Sequence, residues 1–246
     1  ALIRAIEAQG LNAVAVFSNS YRDERVESPT LFDAMKRYFC RDGKTVVDAI
    51  ITTMKFSIKA GGTRIEDLYA LGVPLLEAYT VLAPKEVWEE SPAGLDPMEV
   101  SFSVCMPEFD GVLHAVPIAA KVLDETGTPR YAPLEERMER LARKAKKWAN
   151  LRHKANEEKK IAIVFHNYPP TNANIGSAAG LDSPESVRRL LARMREAGYR
   201  VDFVPESSQE LMDILTNHAT NDRRFMSEER VKNADGQLTT AQYERF

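Results

Sequence analysis

Short runs of β-branched and aliphatic residues alternate with amphipathic stretches through the first half of this chain, and that alternation constrains the fold more than any other feature. A strand buried on both faces needs helices above and below it, so the pattern implies a parallel sheet covered by helices. Residues 13–17, 46–52, 74–79 and 113–118 read as strands, and 30–39, 64–71, 84–90 and 97–105 as helices. With 44% hydrophobic and 28% charged residues over 246 positions, the chain can bury one large core or two smaller ones.

Residues 133–158 then carry Leu134, Met138, Leu141, Ala145, Trp148 and Leu151 at three- and four-residue steps, which predicts one long amphipathic helix. Beyond it, 160–166 reads as a buried strand, 184–197 as a helix, 199–204 as a strand and 207–218 as a helix, which is a second βαβ unit. Ser183 is the expected cap of the first of these helices, Pro184 its first helical residue and Ala197-Gly198 its stop. The fold class expected is therefore α/β, with two Rossmann-like or flavodoxin-like lobes of parallel sheet joined by the long helix. The organisation expected is an N-terminal lobe over 1–132, a connecting helix over 133–158, an incomplete second lobe over 159–218 and a polar tail or linker over 219–246.

Lys and Arg total 33 against 36 Asp and Glu, so the net charge of −3 supplies no field that would gather nucleic acid or anionic lipid. Cys40 and Cys105 lack metal-ligand spacing and read as plain thiols in a reducing compartment. No apolar run is long enough to span a bilayer and no basic segment precedes an apolar stretch at the start, so a cytoplasmic location is expected. The absence of an initiator Met, with Leu2, Ile3 and Ile6 already at helical spacing, makes an excised piece of a longer protein the expectation.

Two segments can carry chemistry. In residues 161–184 (IAIVFHNYPPTNANIGSAAGLDSP) an apolar run leads directly into His166 and Asn167 and then a long polar loop. Ligands of open α/β sheets bind beyond the carboxyl ends of the strands, which is where His166, Asn167, Tyr168, Pro169 and Pro170 would lie. Asn172 and Asn174 offer amide groups there, and Gly176 permits close backbone approach. Turn asparagines that merely satisfy their own backbone are the structural alternative. In residues 91–111 (SPAGLDPMEVSFSVCMPEFDG) Asp96-Pro97 opens a helix and the Pro107-Glu108-Phe109-Asp110-Gly111 turn closes it. Glu108 near that helix end can serve as a general base or metal donor, against a structural reading as a solvated turn residue.

Other motifs fail. Gly43-Lys44-Thr45 lacks the first glycine of a phosphate-binding loop and reads as a turn, and Gly61-Gly62 reads as a chain break before a helix. His114 and His153 read as structural or exposed, and the Arg/Lys-rich stretch over 137–160 is interleaved with glutamates as on a solvated helix face.

Taken together, residues 89–111, 159–170 (KKIAIVFHNYPP) and 172–183 (NANIGSAAGLDS), with Gly198-Tyr199-Arg200-Val201, resemble the large subunit of aerobic cobaltochelatase, the CobN type, and the related large subunits of magnesium chelatase. The resemblance covers most of the chain. It implies ATP-dependent insertion of a divalent metal into a tetrapyrrole in cobalamin biosynthesis. The metal implied is cobalt, with magnesium as the alternative. The ring is of the hydrogenobyrinic acid a,c-diamide type, or a porphyrin, and ATP is hydrolysed on AAA+ partner subunits rather than here. The form His166-Asn167-Tyr168-Pro169-Pro170 favours the cobalt enzymes.

By the same resemblance the glutamate of the P-E-x-D-G motif falls on Glu108 and the histidine before the paired prolines on His166, as catalytic and metal-handling residues. Asn167, Tyr168, Asn172, Asn174 and Gly176 fall in the ring-binding segment. Val112-Leu113 follow the motif where cobaltochelatases often have Arg-Ile, so one cationic contact of that family is not matched. The expectation for chemistry is that a carboxylate from one half and an imidazole from the other serve one insertion centre. A noncatalytic two-lobed tetrapyrrole-binding module is the reading from another class.

Overall fold

The computed structural model describes residues 1–18, 24–27, 29–61, 64–217, 219–234 and 236–245. Gly62 of the expected chain break and His218 of the expected helix end lie outside them. The chain divides into two compact units, Ala1–His153 and Lys154–Phe246.

In the first unit helix α1 (Leu2–Ala8) is followed by α2 (Leu31–Phe39), whose first turn is capped by Thr30 accepting from the Asp33 amide. Strands β1 (Cys40–Arg41) and β2 (Lys44–Thr45) form a hairpin around Asp42-Gly43. Both turn residues have positive φ, the geometry of a two-residue hairpin loop, so Gly43 makes a turn and no phosphate loop. Next come β3 (Ile50–Thr52), α3 (Ile65–Ala70), β4 (Leu75–Pro84) and α4 (Lys85–Glu90). Helix α5 (Pro97–Val100), a π-helical turn (Ser101–Cys105) and α6 (Met106–Phe109) run on without interruption. Strands β5 (Leu113–Leu123) and β6 (Pro129–Pro133) lead into α7 (Glu135–His153).

The sheet has the order β3-β4-β5-β6. β3, β4 and β5 are parallel and β6 returns antiparallel along β5, so the α/β expectation holds with a mixed sheet in place of a purely parallel one. β4 is one of the two inner strands and its residues 75–79 are all buried. Leu76 and Ala78 pack with Val116, Ile118, Met138, Leu141 and Ala145, the last three from α7. Leu75 joins Met35, Ile50, Ile58, Leu68 and Val112 on the opposite side.

Helix α7 spends its apolar stripe on this sheet: Met138, Leu141, Ala142, Ala145 and Ala149 are buried. It is a covering layer of the first unit and ends at His153, short of the expected 158, with Glu135 and Glu136 in the first turn and Arg152 and His153 in the last, as the helix dipole favours.

The strand expected over 13–17 does not form; Val14 and Phe17 are exposed. In the second unit α8 (Ser183–Glu196) and α9 (Ser208–Asn217) match their expected spans, followed by the short α10 (Glu228–Lys232) and α11 (Thr240–Tyr243). The cap of α8 is Asp182, which accepts from the Glu185 amide, and Ser183 is already helical. Residues 160–166 and 199–204 carry no strand ladder, and Val164 is 88% exposed. An apolar run dictates an extended backbone only where a neighbouring strand takes up its N–H and C=O groups, and none does so among the described residues.

Candidate functional site

The helix over residues 97–109 positions the chemistry of the first unit. Asp96 accepts from the amides of Met98 and Glu99, and Pro97 occupies the first turn, where its missing N–H costs nothing. Pro107 does not end the helix, contrary to expectation. It has no N–H for the carbonyl of Ser103 and its ring crowds that carbonyl, and the turn just before it widens to the π form, which accommodates both.

Glu99, Ser103 and Pro107, at four-residue steps, are buried, and Asp110 follows them into the interior. Glu99 Oε1 accepts from the Leu82 amide of β4 at 2.6 Å and lies 3.8 Å from Lys55 Nζ. Beside them Glu77 of β4 is 1% exposed, and neither of its carboxylate oxygens has a hydrogen-bond partner among the described residues. Burial pushes its pKa up to about 8, opposed by the charge of Lys55. Burial, and then the Glu99 carboxylate, push Tyr79 up to about 12. Asp110 Oδ2 accepts from the Ile58 amide at 2.6 Å and from Ser57 Oγ at 2.8 Å, while Lys59 Nζ stands 3.0 Å from Oδ1.

Glu108 turns the other way, into solvent, and carries no ion pair among the described residues. The P-E-F-D-G turn thus presents one acid outward and buries the next, with Asp110 and Gly111 bordering a hollow of about 220 Å³. A hollow of about 650 Å³ opens between α4 and the start of α7, lined in part by Trp88, Leu134 and Arg137. Sequence reading missed Lys55, Glu77 and Glu99. The signal for Glu77 was present: one carboxylate inside the apolar run over 74–79.

In the second unit the loop over 166–176 is closed by the Gly176 amide donating to the His166 carbonyl at 2.7 Å. Asn167 Oδ1 accepts from the Thr171 amide, Asn174 Nδ2 donates to the Pro169 carbonyl, and Asn172 donates its amide to Asp222 and accepts from Thr220. All three asparagines therefore support the loop with part of their hydrogen-bonding capacity. The His166 imidazole and the Tyr168 ring, 76% exposed, point outward. Gly176 has φ +69°, and a Cβ there would stand 2.6 Å from the Phe165 ring, so glycine is required on both counts. Glu108 belongs to the first unit and His166 to the second. Among the described residues no group of three or more His, Cys, Asp or Glu converges as a metal cage, and no helix is long and apolar enough to cross a membrane.

Comparison with known proteins gives one family. The family model described as CobN/Magnesium Chelatase matches residues 1–246. The uncharacterized protein MJ0908 of Methanocaldococcus jannaschii is 40% identical over 256 residues, covering 100% of this chain and 21% of that protein. The aerobic cobaltochelatase subunit CobN of Pseudomonas aeruginosa is 36% identical over 156 residues, covering 61% of this chain and 12% of that protein. The solved catalytic subunit of cobaltochelatase from Mycobacterium tuberculosis superposes with a TM-score of 0.67 at 29% identity, over 89% of this chain and 18% of that one. The chain spans roughly a fifth or less of the length of these relatives.

Proposed function

Because the chain belongs to the CobN/magnesium chelatase family, we propose that it is an internal part of the subunit that holds ring and metal while a divalent ion is inserted into a tetrapyrrole. Cobalt and a ring of the hydrogenobyrinic acid a,c-diamide type are the substrates proposed. The observation that carries this is the likeness, in sequence and in backbone, to cobaltochelatase subunits of two organisms. Magnesium with a porphyrin is the second reading, supported by the family's description, which names both enzymes. ATP would be hydrolysed on AAA+ partner subunits; here Gly43 lies in a hairpin turn and Lys44-Thr45 in the strand that follows it.

Insertion displaces inner N–H protons by one divalent ion, two from a porphyrin and one from a corrin-type ring, so the site must take up the displaced protons and strip water from the metal. Glu108, exposed and without a cationic partner among the described residues, is free to take a ring proton or hold the incoming ion. An exposed imidazole at His166 suits a transient metal ligand or second base. Tyr168 offers an aromatic face to a flat ring. The unspent amide groups of Asn167, Asn172 and Asn174 can meet its carboxylate or amide substituents, and Gly176 keeps the loop in register.

The test uses the full-length subunit assembled with its partner subunits. Cobalt insertion into hydrogenobyrinic acid a,c-diamide and magnesium insertion into protoporphyrin are assayed side by side. Glu108→Gln and His166→Ala are each expected to abolish most turnover with the ring still bound. Normal turnover in either variant removes that residue from the chemical step, and tight ring binding without insertion of any metal would identify a binding module instead.

A further inference from the structure

The segment over 219–246 reads as a polar tail, yet Asp222 within it is 2% exposed and Thr220 is buried with it. The Asp222 carboxylate is saturated: Oδ2 accepts from the Asn172 amide at 3.1 Å and from Arg224 Nη2 at 2.7 Å. Oδ1 accepts from the Arg224 amide at 3.2 Å and from its Nε at 2.9 Å. Thr220 Oγ1 donates to Asn172 Oδ1 at 2.5 Å and accepts from the Asp222 amide at 3.2 Å. Both hydrogen-bonding ends of Asn172 that face this turn are thereby fixed from fifty residues away in sequence.

From Asn172 the bonds continue into the loop. The turn over Asn172–Asn174 sets Asn174, whose side chain donates to the Pro169 carbonyl. Thr171 donates its amide to Asn167 Oδ1, and Gly176 closes on His166. One buried carboxylate thus anchors Asn172, and separate hydrogen bonds from its neighbours Thr171, Asn174 and Gly176 reach Asn167, the Pro169 carbonyl and the His166 carbonyl, in the segment that carries the outward-facing His166 and Tyr168. A charged acceptor is suited to this because it binds an amide more strongly than a neutral one, and the hydrogen bonds from Arg224 hold the Asp222 carboxyl well below the usual carboxylate range.

We infer that Asp222 is a positioning residue and that the 220–224 turn is a latch holding the 166–176 loop in the shape that presents His166 and Tyr168 to the ring. This rests on the chelatase reading above for the identity of the ligand; the latch itself is a property of the second unit. Rigid presentation lowers the ordering cost of binding, so the latch should appear in ring affinity before it appears in the chemical step.

The experiment compares Asp222→Ala and Asp222→Asn with wild type in the full-length subunit assembled with its partners. Hydrogen exchange of the amides over 166–176 is read without any ring, and KM and kcat are read with hydrogenobyrinic acid a,c-diamide and with protoporphyrin as probes. In Asp222→Ala, exchange of the Asn172 and Gly176 amides is expected to rise about tenfold or more, ring KM to rise about tenfold and kcat at saturating ring to stay within about twofold. Asp222→Asn keeps a carbonyl oxygen for the Asn172 amide and is expected to recover most of the KM. Exchange in α8 serves as the control for folding; if Asp222→Ala unfolds there, Thr220→Val removes one bond to Asn172 and is read in the same way. Unchanged loop exchange overturns the latch, and faster exchange with unchanged ring KM overturns the positioning role. Wild-type enzyme that binds neither ring overturns the chelatase reading instead, a failure distinguishable because loop exchange needs no ring.

Discussion

Lys55 Nζ lies 3.8 Å from Glu99 Oε1, beneath the helix that turns Glu108 outward, and its charge is also felt by Glu77 on β4. The first unit therefore places Lys55 close to two buried acidic side chains. Buried charges are costly unless paired, which makes these residues sensitive points for stability and for pH.

Glu77 gives the pH dependence. Its pKa rises from 4.5 to about 8 on folding, so the folded chain keeps a proton that the unfolded chain has lost. The stabilisation is complete below pH 4.5 and is lost as pH rises towards about 8, a change on the order of a few kcal/mol. Urea unfolding at pH 5, 7 and 9 should show this decline in wild type and a flatter profile in Glu77→Gln. The variant should be the more stable of the two at pH 9, and parallel profiles would refute the assignment.

Asp110 and Glu108 are adjacent in one motif and should separate cleanly. Asp110→Ala leaves the Ile58 amide unsatisfied and Lys59 unpaired, and is expected to cost about 2–4 kcal/mol in denaturant unfolding. Glu108→Gln, at an exposed position, is expected within about 0.5 kcal/mol of wild type. A large stability loss in Glu108→Gln would show that it supports the fold.

Gly176→Ala should strain the loop. Positive φ and the 2.6 Å approach to the Phe165 ring act together, for an expected loss of about 1–3 kcal/mol. Adding Phe165→Leu relieves only the steric part, so the double variant should recover part of the loss in thermal melts. Recovery of all of it would mean that the backbone conformation contributes nothing.

Leu141→Ala removes a fully buried side chain where α7 meets β4 and β5, and should cost about 2–5 kcal/mol. Leu151→Ala, on the same helix but exposed, is the control and should fall within about 0.5 kcal/mol of wild type.

The spans of α2, α3, α4, α8 and α9 were legible because capping residues, prolines and apolar periodicity act within a few residues of each other. Asp96 did what its position implied, and at Asp182-Ser183 two residues of capping type stood side by side, so sequence placed the cap one residue late. The strand expectations divided according to their neighbours. Residues 75–79 found partners on both sides, whereas 13–17, 160–166 and 199–204 found none among the described residues. For the candidate site, sequence could point to the loop over 166–176 and to the P-E-F-D-G turn, but not to the proximity of Glu77, Glu99 and Lys55, which joins a strand, a helix and a loop.

By itself, the sequence determined the longer helices and the motifs that carry the family likeness, since each depends on residue types at short spacing. Tertiary structure alone decided that Asp110 is buried while Glu108 is not, that burial pushes the Glu77 carboxyl up, and that a supposed tail reaches the histidine loop through Asp222. The physical reason is range: a helix satisfies its hydrogen bonds within four residues, whereas the burial of a carboxylate and the pairing of a strand are settled by groups tens of residues away.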